Sequence, residues 1–420
     1  SAASDVYKRQ HINQFQRKNL KFACMKYFFS AGEASGDIHA SQVIKNLLQL
    51  DPGAEIEFLG GDEMATAAGH APLIHYNRMA FMGFIDVARH LPKVLENFRV
   101  AENAIRRMRP DAVVLVDYPG FNLKIAKFAK KLGCKVYYYI APKLWAWKEY
   151  RIKQLRKYVD GIFSILPFEP AWFGERNVNV TYVGNPSVEE VERAISALPP
   201  RKEFLSRHGL DDRPILALVP GSRVGEIKAN LPVMDAVARR HPDMQTVVAG
   251  APSIDRSLYA GLTSFPVIQA VTLELMAQSR AALVTSGTAS LECALADCPQ
   301  VVCYRAVGWK WAHDIFLHIL KIPYCSLPNL VGGKIDRATR AEVNREAIRT
   351  GVRGCIVPEM LVHNCTPENV DVQLSQLIPD GAARSAQLDG YKRVRMLLHT
   401  PTPAAENVAR LIYQNVKRNI

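Results

Sequence analysis

The sequence predicts an α/β protein built from two doubly wound domains that face one another across a cleft. Three observations carry this expectation. Short apolar, β-rich runs recur between amphipathic helical patterns, the alternation restarts after residue 200, and at 420 residues the chain exceeds the size at which one core usually keeps growing. Continuous apolar strands of this kind suit a parallel sheet covered on both faces.

In the first half the strand-like runs are Tyr27 to Ser30, Ile56 to Gly60, Ala112 to Asp117, Val136 to Ile140, Ile162 to Leu166 and Val180 to Gly184. Helices between them show apolar faces, Ala40, Val43, Ile44, Leu47 and Leu48 in one and Ile125, Phe128, Ala129 and Leu132 in another. After Val183-Gly184-Asn185-Pro186 the chain turns polar and helical through Pro199-Pro200. The strand pattern then resumes at Ile215 to Val219, Thr246 to Ala249, Ala281 to Thr285 and Val301 to Tyr304, with helices near Glu226 to Arg240 and Ala289 to Ala296. The expected division is therefore 25–200, 201–385, and C-terminal helices over 386–420 that pack back on the first domain. Residues 1–24 lack the apolar core of a secretory signal, so Met25 reads as the natural start and the preceding tract as an extension outside the fold.

A composition of 48% hydrophobic and 22% charged residues is that of an ordinary globular protein, and no apolar run approaches the roughly 20 residues that span a bilayer. The eight cysteines are scattered without a CxxC pair, which points to a reducing compartment, to buried thiols acting as small hydrophobes, and to no metal site. A net charge of +13 calls for an anionic partner: a nucleic acid, a phosphorylated small molecule or a membrane surface. Basic residues dominate from Phe121 to Asp160, a run that reads equally as a binding surface or as a solvated helix face. No RNP-like, helix-turn-helix or zinc-finger signature accompanies them, which argues against nucleic acid.

Glycine-bearing loops at strand ends carry the chemistry. Gly32-Glu33-Ala34-Ser35-Gly36-Asp37 follows the first strand and opens a helix, so backbone can approach a ligand and free N–H groups can meet an anion. A plain strand-to-helix turn would look similar. Pro220-Gly221-Ser222-Arg223 repeats the arrangement in the second half and adds a guanidinium suited to a diphosphate. Ser286-Gly287-Thr288 opens a third such loop, with Glu292 placed to accept the hydroxyls of a ribose or to complement a helix dipole. Asp117 stands where a buried strand breaks at Pro119-Gly120, a position for a general base or for a helix cap, with Asn122 following. Trp145 and Trp147 in Pro142-Lys143-Leu144-Trp145-Ala146-Trp147-Lys148 would wall a cleft or pack in the core.

Taken in order, GEASGD (32–37), Met82-Gly83, DYPGFN (117–122), PKLWAWK (142–148), LPFE (166–169), VGNP (183–186), PGSR (220–223), SGTASLE (286–292) and SLPNL (326–330) resemble the lipid-A-disaccharide synthase family. The resemblance runs from about residue 25 to the C-terminus. It implies the GT-B fold, with two facing Rossmann-like domains. It also implies transfer of 2,3-diacylglucosamine from its UDP-sugar to 2,3-diacylglucosamine 1-phosphate, giving a β-1,6-linked disaccharide 1-phosphate and UDP. Asp117 is then the base for the acceptor 6-hydroxyl, and Arg223 neutralises the departing diphosphate. Gly221, Ser222, Ser286, Gly287, Thr288, Glu292 and Asn329 bind the UDP-sugar, while Glu33, Ser35, Asp37, Asn122 and Trp147 line the acceptor side. Guanidinium and helix N-termini can stabilise the leaving group, so neither a metal nor another cofactor is implied.

Two departures bear on the carry-over. Many relatives have His where this chain has Asn185, so no proton transfer is assigned there. A polar, basic stretch over 335–355 is inserted before Glu359, as a loop or as an error of assembly, and leaves Glu359 unplaced. For acylated substrates, Phe81, Met82, Phe84 and Ile85 offer an apolar stretch beside basic residues, suited to an anionic inner-membrane surface on its cytoplasmic face; core packing is the competing reading. The tract from Trp309 to Lys321 is a second such candidate. A homodimer stays open, as do another lipid-linked acceptor and epimerisation of a UDP-sugar.

Overall fold

The computed structural model describes residues 24–79, 91–146, 148–305 and 322–418. In the first domain the strands are β1 (Lys26–Ala31), β2 (Glu55–Gly60), β3 (Ile74–His75), β4 (Ala112–Val116), β5 (Lys135–Tyr139), β6 (Gly161–Ser164) and β7 (Thr181–Tyr182). They pair in parallel in the order β3-β2-β1-β4-β5-β6-β7. In the second domain β8 (Ile215–Val219), β9 (Gln245–Gly250), β10 (Val267–Gln269), β11 (Ala281–Thr285), β12 (Gln300–Tyr304) and β13 (Glu359–Leu361) form a parallel sheet ordered β10-β9-β8-β11-β12-β13. Each sheet changes direction of winding once, between β1 and β4 in the first and between β8 and β11 in the second. Ligands of doubly wound sheets sit beyond the carboxyl ends at such points. All four strand ends carry a motif loop.

Successive side chains of a strand point to opposite faces, and both faces are buried here. Phe28, Val113, Leu115, Val136 and Tyr138 meet the helices Leu91–Met108 and Pro119–Lys131, while Tyr27, Phe29, Val114, Val116 and Tyr139 face the helices Ala34–Leu50 and Ala404–Lys417. The first of these cores continues into the second domain through Val188 and Val191 on the linking helix Pro186–Ser196 and through Leu291, Leu295, Leu330 and Val331. Hydrophobic packing thus fixes how the two sheets face one another.

Three short strands escaped the sequence reading. β3, β10 and β13 span two or three residues each, too short for alternation to show. The expected boundary at 386 also moves. It falls inside the helix Ala382–Leu398, which stays with the second domain: Tyr391 on it donates to Cys298 O, and Gln387 donates to Gln300 O. The end of that helix already meets the first domain, where Tyr182 Oη donates to Leu398 O, and Ala404–Lys417 completes the return, with Ala404 N–H donating to Glu189 and Asn407 to Val183 O. The stretch 335–355 is a helix, Arg337–Thr350, instead of the expected loop. Asp336 caps its start by accepting from Thr339 N–H, and Gly351 ends it in the left-handed region.

Candidate active site

The loop after β1 approaches the loop after β4 because residue 32 has no side chain. A Cβ on Gly32 would stand 2.3 Å from the ring of Tyr118, so nothing larger fits without moving that ring. Glu33 and Ser35, at the exposed start of the helix Ala34–Leu50, face solvent here. Asp37, expected on the acceptor side, is buried and spent: its carboxylate accepts from the N–H groups of Gly61, Glu63 and Met64 and caps the helix Asp62–Ala68. It shapes the loop without offering a free oxygen to a sugar.

Asp117 ends β4 with φ at 44°, and Tyr118 follows at 47°, two consecutive left-handed residues with side chains. Such strain persists only where the surroundings over-determine it. Here Asn122, fully buried, donates through Nδ2 to the carbonyls of Ser30, Val116 and Asp117 and accepts from Ser30 Oγ, while Tyr138 Oη donates to the Asp117 carbonyl. Asn122 therefore fixes the turn instead of touching an acceptor. Burial pushes the Asp117 carboxyl above its ordinary value, and the nearby Lys143 ammonium and the Tyr118 backbone N–H partly offset this. Glu33 is raised by burial and then by Asp117, and lowered by Arg223 of the other domain. Charges from both sheets converge at that carboxylate.

Lys143 is exposed on the loop after β5, and beneath it lies a group that sequence reasoning missed. Glu169 is fully buried, accepts from Trp145 Nε1 at 2.8 Å and from Ser164 Oγ, and is pushed up to about 7 by burial. Lys143 lowers it and Asp117 raises it, so one ammonium serves two carboxyls. Trp145 belongs to the core, edge-on to Phe168. Trp147, like Phe81, Met82, Phe84, Ile85 and the tract 309–321, lies outside the described residues.

In the second domain Arg223 is the N-cap residue of the helix Val224–Ala238, with its side chain 74% exposed and paired at 3.1 Å to Glu226. Gly221 takes φ 114° and Ser222 N–H points at the same carboxylate. Gly287 and Thr288 are exposed at the start of the helix Thr288–Leu295, and Ser286 Oγ donates to Cys325 O, joining this loop to Ser326–Leu330. The Glu292 carboxylate makes no hydrogen bond or ion pair among the described residues; burial raises it, with Glu190 adding to the effect.

Asn329 does not reach the cleft. It is fully buried, with Nδ2 donating to Val357 O and Glu359 Oε1 and Oδ1 accepting from the N–H groups of Cys355, Ile356 and Val357. Glu359, unplaced by the sequence, sits on β13 and also accepts from Cys325 N–H, Ser326 N–H and Ser326 Oγ. This pair holds the start of the helix Leu327–Gly332 in place, a supporting role in place of the expected contact with UDP. Asn185 is likewise committed, capping Pro186–Ser196 through Ser187 N–H and donating to Ile165 O.

Residues 27–348 match the family model for lipid-A-disaccharide synthetase. The chain belongs to that family of hexosyltransferases. It is 35% identical over 396 residues to the lipid-A-disaccharide synthase of Myxococcus xanthus (strain DK1622), covering 91% of this chain and 96% of that protein. To the synthase of Anaeromyxobacter dehalogenans (strain 2CP-C) it is 36% identical over 382 residues, covering 88% and 92%. Among solved structures it resembles the UDP-GlcNAc 2-epimerase of Neisseria meningitidis bound to UDP-GlcNAc, with a TM-score of 0.57 at 12% identity over 94% of this chain and all of that one. The calicheamicin glycosyltransferase CalG4 gives a TM-score of 0.51 at 15% identity, covering 94% and 99%. At such identities the likeness concerns the fold alone, which is GT-B.

Two concavities, of 680 Å³ and 570 Å³, lie at the amino ends of the sheets, one lined by Arg213, His241 and Gln245 and the other by Lys26, Glu57 and Arg107. They are remote from every motif loop. Among the described residues no helix is long and apolar enough to cross a membrane, and no group of three or more His, Cys, Asp and Glu could hold a metal ion.

Proposed function

We propose that this protein transfers 2,3-diacylglucosamine from its UDP-sugar to the 6-hydroxyl of 2,3-diacylglucosamine 1-phosphate, forming the β-1,6-linked lipid A disaccharide 1-phosphate and UDP. Membership of the family sets the reaction class. The observation that supports the assignment of roles is the meeting at Glu33 of charge from Asp117 in one domain and Arg223 in the other. Asp117 takes the acceptor proton as its oxygen attacks the anomeric carbon. The bond from that carbon to the diphosphate breaks, and its electron pair leaves with UDP, whose charge Arg223 and the N–H groups of Gly221 and Ser222 receive. Ser286, Gly287 and Thr288 line the diphosphate as well, and the Glu292 carboxylate, without a partner among the described residues, accepts the ribose hydroxyls. Glu33 and Ser35 face the sugar. A base with a raised pKa is a stronger proton acceptor than an ordinary aspartate, which favours this step near neutral pH.

Both substrates carry acyl chains, so the enzyme would meet them at the cytoplasmic face of an anionic membrane. Lys124, Lys127, Lys131, Lys153, Arg156 and Lys157 are exposed on one stretch of the first domain, and each would contribute about 1 kcal/mol near such a surface. Mass spectrometry of the products formed from UDP-2,3-diacylglucosamine and 2,3-diacylglucosamine 1-phosphate tests the reading. A disaccharide 1-phosphate with an equivalent of UDP is expected; an isomerised UDP-sugar, or no disaccharide, would refute it.

A further inference from the structure

The loop assigned to the diphosphate already holds a carboxylate of its own. Glu226, in the first turn of the helix Val224–Ala238, reaches back so that Oε2 accepts from Ser222 N–H at 3.3 Å and Oε1 pairs with Arg223 Nη1 at 3.1 Å. That Oε2 lies 2.7 Å from where a Cβ on Gly221 would stand. The loop can therefore close on Glu226 only because residue 221 is glycine, in the left-handed conformation that glycine favours. Glu226 is the enclosed member of the ion pair, its side chain 27% exposed against 74% for Arg223. Tyr304, where β12 ends, feels the charges of Glu226 and Arg223 and lies beside Cys325, whose carbonyl accepts from Ser286 Oγ. This places the carboxylate among the groups that face the nucleotide in the reading above.

A diphosphate oxygen seeks the same donors, a guanidinium and a backbone N–H at the start of a helix. Glu226 and a phosphate cannot both hold them without bringing two anions into contact. We propose that Glu226 is a built-in competitor for the Pro220–Arg223 loop: a bound diphosphate displaces its carboxylate, and the returning carboxylate helps to expel UDP after transfer. The proposal rests on the assignment of this loop to the diphosphate. No covalent bond changes. Arg223 and Ser222 N–H exchange one anion for another, and Glu226 turns towards water.

Isothermal titration of the full-length protein with UDP and, separately, with inorganic pyrophosphate tests this. Wild type, Glu226→Gln, Arg223→Ala and the double variant would be compared, with melting temperature without anion as the check on folding. Glu226→Gln should bind both anions roughly tenfold more tightly, as expected when a like charge leaves an anion site. Arg223→Ala should bind both more weakly, and the double variant should lose the gain. Glu226→Asp, one methylene shorter, should shift affinity in the same direction as Gln, which guards against a folding defect in one variant. Unchanged or weaker binding of both anions by Glu226→Gln and Glu226→Asp would overturn the proposal and make Glu226 a prop for Arg223, leaving the UDP reading intact if wild type binds UDP. Tighter pyrophosphate binding without UDP binding in any variant would sustain the competitor and refute the nucleotide assignment. No binding of either anion by any variant would overturn both.

Discussion

The two ends of the cleft are held in different ways, Asp117 through its own backbone, which buried side chains fix, and Arg223 by one carboxylate at its side chain. Asp117 sits on a strained turn whose carbonyl is fixed by Asn122 and Tyr138. Its charge environment is set by a half-buried position and by Lys143. Arg223 stands largely in solvent, with Glu226 as its partner. The contrast follows the chemistry proposed for each. A base must present one oxygen at a fixed place in every turnover, and misplacement there is costly. A diphosphate site must open and close around a ligand that arrives in one form and leaves in another.

The comparison can be broken most decisively at its rigid end. Asp117→Asn should lower kcat by about 10²–10⁴-fold while UDP affinity is retained. The wild-type rate should fall on acidification at a pH above that of an ordinary aspartate, because the carboxyl is raised by burial and must be ionised to accept a proton. Near-normal turnover by the variant, with UDP binding intact, would make Asp117 structural.

Glu169 sharpens the same end. Its folded pKa of about 7 lies above the ordinary 4.5, so the folded state holds a proton that the unfolded state releases. Its contribution to stability is full below about pH 4.5 and is lost as pH rises to about 7, by up to about 3 kcal/mol across that window. Glu169→Gln keeps an acceptor for Trp145 but cannot titrate. Chemical denaturation from pH 4.5 to 8 should show wild type losing stability relative to the variant as pH rises; parallel curves would place the titration elsewhere.

At the exchangeable end the effects should be on affinity. Arg223→Ala should weaken UDP about 10–100-fold, the range for charged hydrogen bonds, with little change in melting temperature because the side chain is exposed. Glu292→Ala should cost less, about 1 kcal/mol or roughly fivefold in UDP affinity. Thermal shift with a titration of UDP measures both. If Glu292→Ala binds the deoxyribose analogue dUDP as weakly as it binds UDP while wild type prefers UDP, the ribose contact stands; a retained preference would remove it.

The strand and helix alternation, the two windings and the loops to which function is assigned were legible in the residues alone, because apolar runs and glycine-bearing turns act over a few residues. Asp117, Arg223, Glu33 and Glu292 were named from those loops. The sequence could not say which polar residues in the loops are free. Asp37, Asn122, Asn185 and Asn329 carry side chains as suited to a ligand as their neighbours, yet each is spent on backbone groups distant in the chain, such as Gly61 for Asp37 and Val357 for Asn329. Buried amides and carboxylates must satisfy every lone pair and proton, and only the tertiary structure decides from where. Glu169 went unrecognised and Glu359 unplaced for the same reason: their partners, Trp145 in one case and Cys325, Ser326 and Asn329 in the other, come from separate segments. The convergence of Asp117 and Arg223 on Glu33 was likewise beyond the sequence, which expected facing domains but not their contact. It depends on the core that runs through Val188, Val191, Leu291 and Leu295 and joins two sheets that are each legible alone.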